Sequence, residues 1–214
     1  MANKAAADIA KCAAESIRLH GRFNFLATGG ETARFVYREL RRYGELWQFW
    51  HVYLTDERCV PVGSQQRNDR MVRAELLDLV PIPGLQVYPI AGELGAVAGA
   101  ARYAKVLATV DGFDLALLGL GEDGHVASLF PGMTPSAGET ALAVFGAPKP
   151  PTERISVSSA VLHKARRIFL LAGGEAKRKA VSDLHCADTF FWTVVGPTPR
   201  ISFYFDREAT SVAV

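Results

Sequence analysis

Asp123 and His125 stand two residues apart in the run Gly119-Leu120-Gly121-Glu122-Asp123-Gly124-His125. At that spacing, in a glycine-bearing loop, a carboxylate can hold an imidazole in one tautomer and raise its basicity. A side chain with a reference pKa of about 6.5 accepts a proton from water near neutral pH without extreme perturbation. A loop histidine that merely bonds a neighbouring carbonyl would show the same residues. His20, His51, His163 and His185 have no acidic residue at comparable spacing in a Gly turn and read as structural or surface groups.

Three more polar clusters follow apolar runs. Thr28-Gly29-Gly30 offers a hydroxyl and two peptides without side chains at a helix start, where amides and the helix dipole favour phosphate oxygens. A plain tight turn is the bland alternative. Asp56-Glu57-Arg58 places charge at the exit of Trp50–Thr55, and Gly173-Gly174 leads into Lys177. The literal Gly-x-Gly-x-x-Gly at Gly119–Gly124 is not a dinucleotide fingerprint, because Pro131 and Gly132 follow instead of a second strand ending in an acid. Neither Gly-x-Ser-x-Gly nor a Walker-type loop occurs, and no histidine pair has helical zinc spacing, which leaves water as the natural nucleophile.

The elements that must position these groups alternate between short apolar runs and helix-like segments. Expected strands are 24–27, 50–55, 86–90, 113–118, 142–145, 154–157, 167–172, 189–195 and 201–205, the last two joined by a Pro-containing turn. Expected helices are 31–43, closed by Gly44, then 68–79, 94–109 and one carrying Lys177. That alternation predicts an α/β fold with a mostly parallel sheet flanked by helices, in which loops at the carboxyl ends of the strands make the ligand crevice. The stretch 131–151, rich in Pro, Gly and Ala, reads as a long loop.

A chain of 214 residues suits one domain spanning 1–214. With a formal charge of +2 and both signs interspersed, it lacks the field a nucleic-acid partner requires. Three cysteines, odd in number and far apart, argue for a reducing compartment, and the Ala-rich start is broken by Lys4, Asp8 and Lys11, unlike a signal peptide. No apolar stretch spans a bilayer. A cytoplasmic location, no membrane contact, and a monomer or weak homo-oligomer are expected.

Taken together the motifs resemble the 6-phosphogluconolactonase family, related to the glucosamine-6-phosphate deaminases and isomerases. The resemblance rests on Thr28-Gly29-Gly30-Glu31-Thr32, Leu54 to Pro61 with Asn68 and Met71, Phe113 to Gly132, Arg154-Ile155-Ser156 and Gly174-Glu175-Ala176-Lys177. Its most specific block is Asp123-Gly124-His125-Val126-Ala127-Ser128-Leu129-Phe130-Pro131-Gly132. Where the deaminases carry a Glu this chain has Phe130, and Arg58 stands where they usually place Tyr.

The resemblance implies a Rossmann-like fold and hydrolysis of a small-molecule sugar-phosphate lactone without cofactor or metal. A deaminase or a non-catalytic sugar-phosphate binder are the alternatives. It implies that His125 activates water, Asp123 orients it, and the phosphate lies among Thr28, Gly29, Gly30, Arg154 and Lys177. Asp56 and Arg58 would line the sugar. Thr28 stands where Ser is usual, Ala33 where Pro is common, and Arg67 where Ser is general; Arg67 has two readings, altered substrate access or a phosphate contact.

Overall fold

A computed structural model describes residues 1–43, 45–133, 138–196 and 200–211. Helix α1 (Ala2–His20) leads into β1 (Phe23–Ala27), α2 (Glu31–Leu40), β2 (Trp50–Leu54), β3 (Asp56–Arg58), α3 (Asn68–Glu75), β4 (Val87–Tyr88) and α4 (Ala96–Leu107). Then come β5 (Leu115–Gly119), β6 (Ala141–Val144), β7 (Arg154–Val157), α5 (Ser159–His163), β8 (Ile168–Ala172), α6 (Arg178–Asp183), α7 (Phe190–Val195), β9 (Ile201–Phe205) and α8 (Arg207–Thr210).

Six strands form one sheet in the order β4-β2-β1-β5-β8-β9, and every pairing is parallel. A strand covered on both faces is apolar except where a polar group finds a partner; all five residues of β1 and of β8 are buried, and the Asn24 side chain in β1 donates to Gly112 O. Phe23, Phe25 and Trp50 close the core on one side, with the Phe23 and Trp50 rings 4.7 Å apart edge to face. Each fully buried side chain of this size contributes about 1.5–3 kcal/mol, so the sheet is a firm base for the loops it carries. Connections run one way from β1 and the other way from β5, making these neighbours the switch point where a ligand crevice opens.

A second sheet was not anticipated. The Asp56-Glu57-Arg58 triplet, read as a loop at a strand's exit, is itself strand β3; it pairs antiparallel with β7, which pairs with β6. Thr55 is where the chain changes sheets. Its amide donates to Ala27 O of the large sheet and its carbonyl accepts from Val157 N of the small one. The Tyr103 hydroxyl, buried under the same corner, both donates to Leu54 O and accepts from Leu54 N.

One expected strand is a helix. Thr189–Val195 reads as strand because it is aromatic and β-branched, yet Phe190–Val195 is α7, with Phe191, Val194 and Val195 buried at i, i+3, i+4 spacing. The Trp192 indole donates to Leu184 O and ties this helix to the end of α6. Helices expected over 31–43 and 68–79 stop at Leu40 and Glu75, the second giving way to a 3-10 turn at Leu77–Leu79. Gly44, the middle of the long loop (134–137) and the Pro-containing turn (197–199) lie outside the described residues. Among the described residues no helix is long and apolar enough to cross a membrane.

Candidate active site

All four polar corners emerge at the carboxyl edge of the large sheet and surround one cleft of about 530 Å³. Thr28, Gly29, Gly30, Asp56, Arg58, Asp123, His125, Arg154 and Lys177 all line it. Arg67 does not.

The corner after β1 is held by Tyr37 of α2, whose buried hydroxyl donates to Thr28 O at 2.7 Å. Gly30 is the N-cap of α2, so the helix N-terminus opens into the cleft. Gly29 must lack a side chain, since a Cβ there would lie 2.0 Å from Asn68 Oδ1. Asn68 in turn donates to Asp56 O, so the first residue of α3 locks two walls together.

The loop after β5 folds back on itself. Gly121 N donates to His125 O, and Gly124 N donates to Gly121 O. His125 Nδ1 lies 2.5 Å from Asp123 Oδ1. Partial burial pushes the Asp123 carboxyl up, but the hydrogen bond and charge of His125 outweigh it and hold the group below the usual carboxylate range. The imidazole rests on Phe130, ring centroids 4.6 Å apart, and the Arg154 guanidinium covers the same ring at 5.5 Å. One aromatic ring thus sets the separation of an imidazole from a guanidinium.

Between His125 and Phe130 the backbone is strained: Ala127 has φ +52°, a left-handed conformation that costs a residue with a Cβ about 1–2 kcal/mol. Ser128 holds it there. Its amide donates to Ser156 Oγ, and its hydroxyl donates to Asp56 Oδ2 at 2.7 Å, while Thr55 Oγ1 donates to Asp56 Oδ1. Asp56 is therefore only 5% exposed, and although it lines the cleft both its oxygens already accept bonds from the protein.

Cations make up the opposite wall. Arg58 and Arg154 face one another in register across β3 and β7. Arg154 donates through Nε to Pro151 O and through Nη2 to Lys149 O. Its protonated form is disfavoured first by burial and then by the charge of Arg58. Arg58 donates to Gln66 O, but its Nε is buried without a hydrogen-bond partner. Lys177 ends a 3-10 turn (Glu175–Lys177) ahead of α6 instead of lying within a helix. Asp206 fixes that corner by accepting from Gly174 N. Burial lowers the Lys177 pKa, Glu122 opposes the shift, and Lys149 adds to it.

Arg67, read as altering access or contacting phosphate, does neither. It is 3% exposed and points away from the cleft, donating to Asp69, Glu93, Val60 O and Ile90 O, with Glu57 3.9 Å away. Glu57 accepts from the amides of Arg58, Asn68 and Asp69, and burial raises its pKa to about 7 against those bonds. The pair is a buried staple behind the cleft wall.

Several lining residues were not on the expected list: Asn68, Glu122, Phe130 and Lys149. Asn68 and Phe130 stand inside quoted motifs. Lys149 sits among prolines in the uninformative loop, and nothing in the sequence brings it to Glu122.

The comparisons decide the family. The sequence model for glucosamine-6-phosphate isomerases/6-phosphogluconolactonase matches residues 1–198. This chain belongs to that family. It is 34% identical over 225 residues to the GDH/6PGL endoplasmic bifunctional protein of Oryctolagus cuniculus, a match covering 97% of this chain and 28% of that relative. The chain thus spans little more than a quarter of that protein. A 6-phosphogluconolactonase of Mycobacterium leprae (strain TN) is 36% identical over 172 residues, covering 72% of this chain and 69% of the relative. Among solved structures, a 6-phosphogluconolactonase from Trypanosoma brucei superposes with TM-score 0.80 at 27% identity, covering 98% of this chain and 94% of that one.

Proposed function

We propose that this family member hydrolyses 6-phospho-D-glucono-1,5-lactone to 6-phosphogluconate, with His125 as general base for water. The observation that carries the reading is the Asp123–His125 pair in the same cleft as Arg58, Arg154 and Lys177. A proton-transfer pair beside a cationic wall suits an ester whose anionic tail must be held while its carbonyl is attacked. Phe130, at the position where the resemblance puts a deaminase Glu, supplies no carboxylate for amino-sugar ring opening.

With Nδ1–H donated to Asp123, Nε2 carries the lone pair that takes a proton from water. The hydroxide forms a bond to C1 of the lactone as the carbonyl electrons move to oxygen, and Arg58 counters that developing charge. Collapse breaks the bond from C1 to the ring oxygen, and the imidazolium returns its proton to that oxygen. The phosphate lies among Thr28, the Gly29 and Gly30 amides, Arg154 and Lys177. Asp56 shapes the sugar wall by holding Ser128, a positioning role in place of a direct sugar contact. A lactone is an activated ester, so one base worth about 10²–10⁴ in rate suffices without a cofactor. Three cysteines, odd in number and far apart in sequence, suit work in a reducing cytoplasm.

The test is consumption of freshly generated lactone with and without protein, measured over spontaneous hydrolysis. Acceleration that drops about 10²-fold or more in His125→Ala, with product binding retained, supports the reading. No acceleration, or ammonia release from glucosamine 6-phosphate, sinks it.

A further inference from the structure

Lys149 has a fixed backbone and a largely exposed side chain held by one surface ion pair. Its carbonyl accepts from Arg154 Nη2, and the next two residues are bracketed by the Arg154 Nε bond to Pro151 O. Its ammonium lines the cleft yet is 70% exposed, and its nearest partner is Glu122 Oε2 at 3.0 Å, itself 48% exposed. Surface pairs of this kind open at little cost.

Glu122 has a second relation to the cleft. Its carboxyl is held below the usual range first by Lys149 and then by Lys177, while those two ammonium groups repel each other. A carboxylate attracted to two cations inside an anion-binding cleft occupies, in charge, the place of a phosphate. It is also the immediate neighbour of Asp123, on the loop that carries the base.

Resting on the lactonase reading for its physiological ligand, we propose that Glu122 is a placeholder anion that holds Lys149 at the cleft's lip and releases it to an incoming phosphate, making Lys149 a further phosphate-binding residue. The exchange swaps a carboxylate for a dianion on the same ammonium, so no charge is stranded on Lys149 in either state. Glu122 then opposes binding and Lys149 favours it, two signs that a merely structural bridge would not produce.

Titration calorimetry on the whole chain, at constant ionic strength, reads the exchange with inorganic phosphate and with 6-phosphogluconate. Lys149→Ala weakens both about tenfold, the loss of one charge-assisted contact. Glu122→Gln tightens both about threefold, and in the Lys149→Ala background that gain shrinks below about 1.5-fold, as coupling through Lys149 requires. Less than about threefold weakening in Lys149→Ala, weaker binding in Glu122→Gln, or an equal gain in both backgrounds overturns the proposal. Both side chains are exposed, so the variants fold. Because these affinities need no turnover, a protein that fails to hydrolyse the lactone sinks the lactonase reading and leaves the exchange to be judged on phosphate alone.

Discussion

Gly121→Ala is the sharpest probe of the proposed base. Gly121 lies under the imidazole, and a Cβ at that position would stand 2.1 Å from His125 Nδ1, 2.4 Å from Cε1 and 2.7 Å from Asp123 Oδ1. Ordinary van der Waals contact begins near 3.4 Å, so the ring must retreat by about 1.3 Å. Gly121 has no positive φ that would forbid alanine, so the perturbation is local. A displacement of about 1 Å from productive geometry costs on the order of 10²-fold in rate, close to 2.7 kcal/mol of barrier.

The expected result is a kcat about 10² lower, with KM changed much less, because Arg154 and Lys177 stand on other elements. The assay is lactone consumption above the spontaneous rate, run beside a thermal melt. Gly63→Ala is the control, since a Cβ there meets nothing within 4 Å and the residue is outside the cleft. A folded Gly121→Ala protein with kcat within about threefold of the parent would refute the claim that His125, as placed, does the chemistry.

Asp123→Asn keeps the shape of its partner but removes the charge that stabilises an imidazolium, and kcat should fall by about 10² or more with little change in product affinity; an unchanged kcat removes Asp123 from the mechanism. Lys177 has a lowered pKa, so its charge is complete at low pH and is lost as pH rises through a value below that of an ordinary lysine. Affinity for 6-phosphogluconate should therefore begin to fall before pH reaches about 10.4, and Lys177→Arg should delay the fall; a flat profile contradicts the assignment. Phe130→Ala removes the ring shared by His125 and Arg154, so KM should rise and kcat fall together, whereas Lys177→Ala should act chiefly on KM. A Phe130→Ala enzyme altered in only one parameter would break that link.

What the sequence made legible is what local pattern encodes. Short, mostly apolar runs such as Phe23–Ala27, interrupted only by Asn24, and Ile168–Ala172 announce buried parallel strands, and the polar residues after them fall at the crevice because a parallel sheet has only one carboxyl edge. The small sheet was hidden because β3 is three charged residues long, and charge in Asp56-Glu57-Arg58 masks a strand satisfied by Ser128, backbone amides and a ligand cleft. In α7 composition misled where spacing would have helped: Phe191, Val194 and Val195 share a helical face. Arg67 was ambiguous for a different reason. A guanidinium beside a motif suits a ligand equally well until its acidic partners are known, and Glu93 lies 26 residues away in sequence.

The costs in this fold are concentrated at the cleft. Arg58 opposite Arg154 sets two like charges in register, an arrangement that opposes strand pairing. The buried Arg58 Nε without a partner costs about 1–3 kcal/mol, and Ala127 is held at positive φ by Ser128. None of these is needed to close the large sheet, whose core is apolar and complete behind them. A selection for stability alone would remove each by a single substitution. On the lactonase reading, an anionic substrate would relieve the first and attack would take place beside the loop strained by the third, so the residues that carry these costs are those through which the protein would bind and turn over a phosphorylated ester.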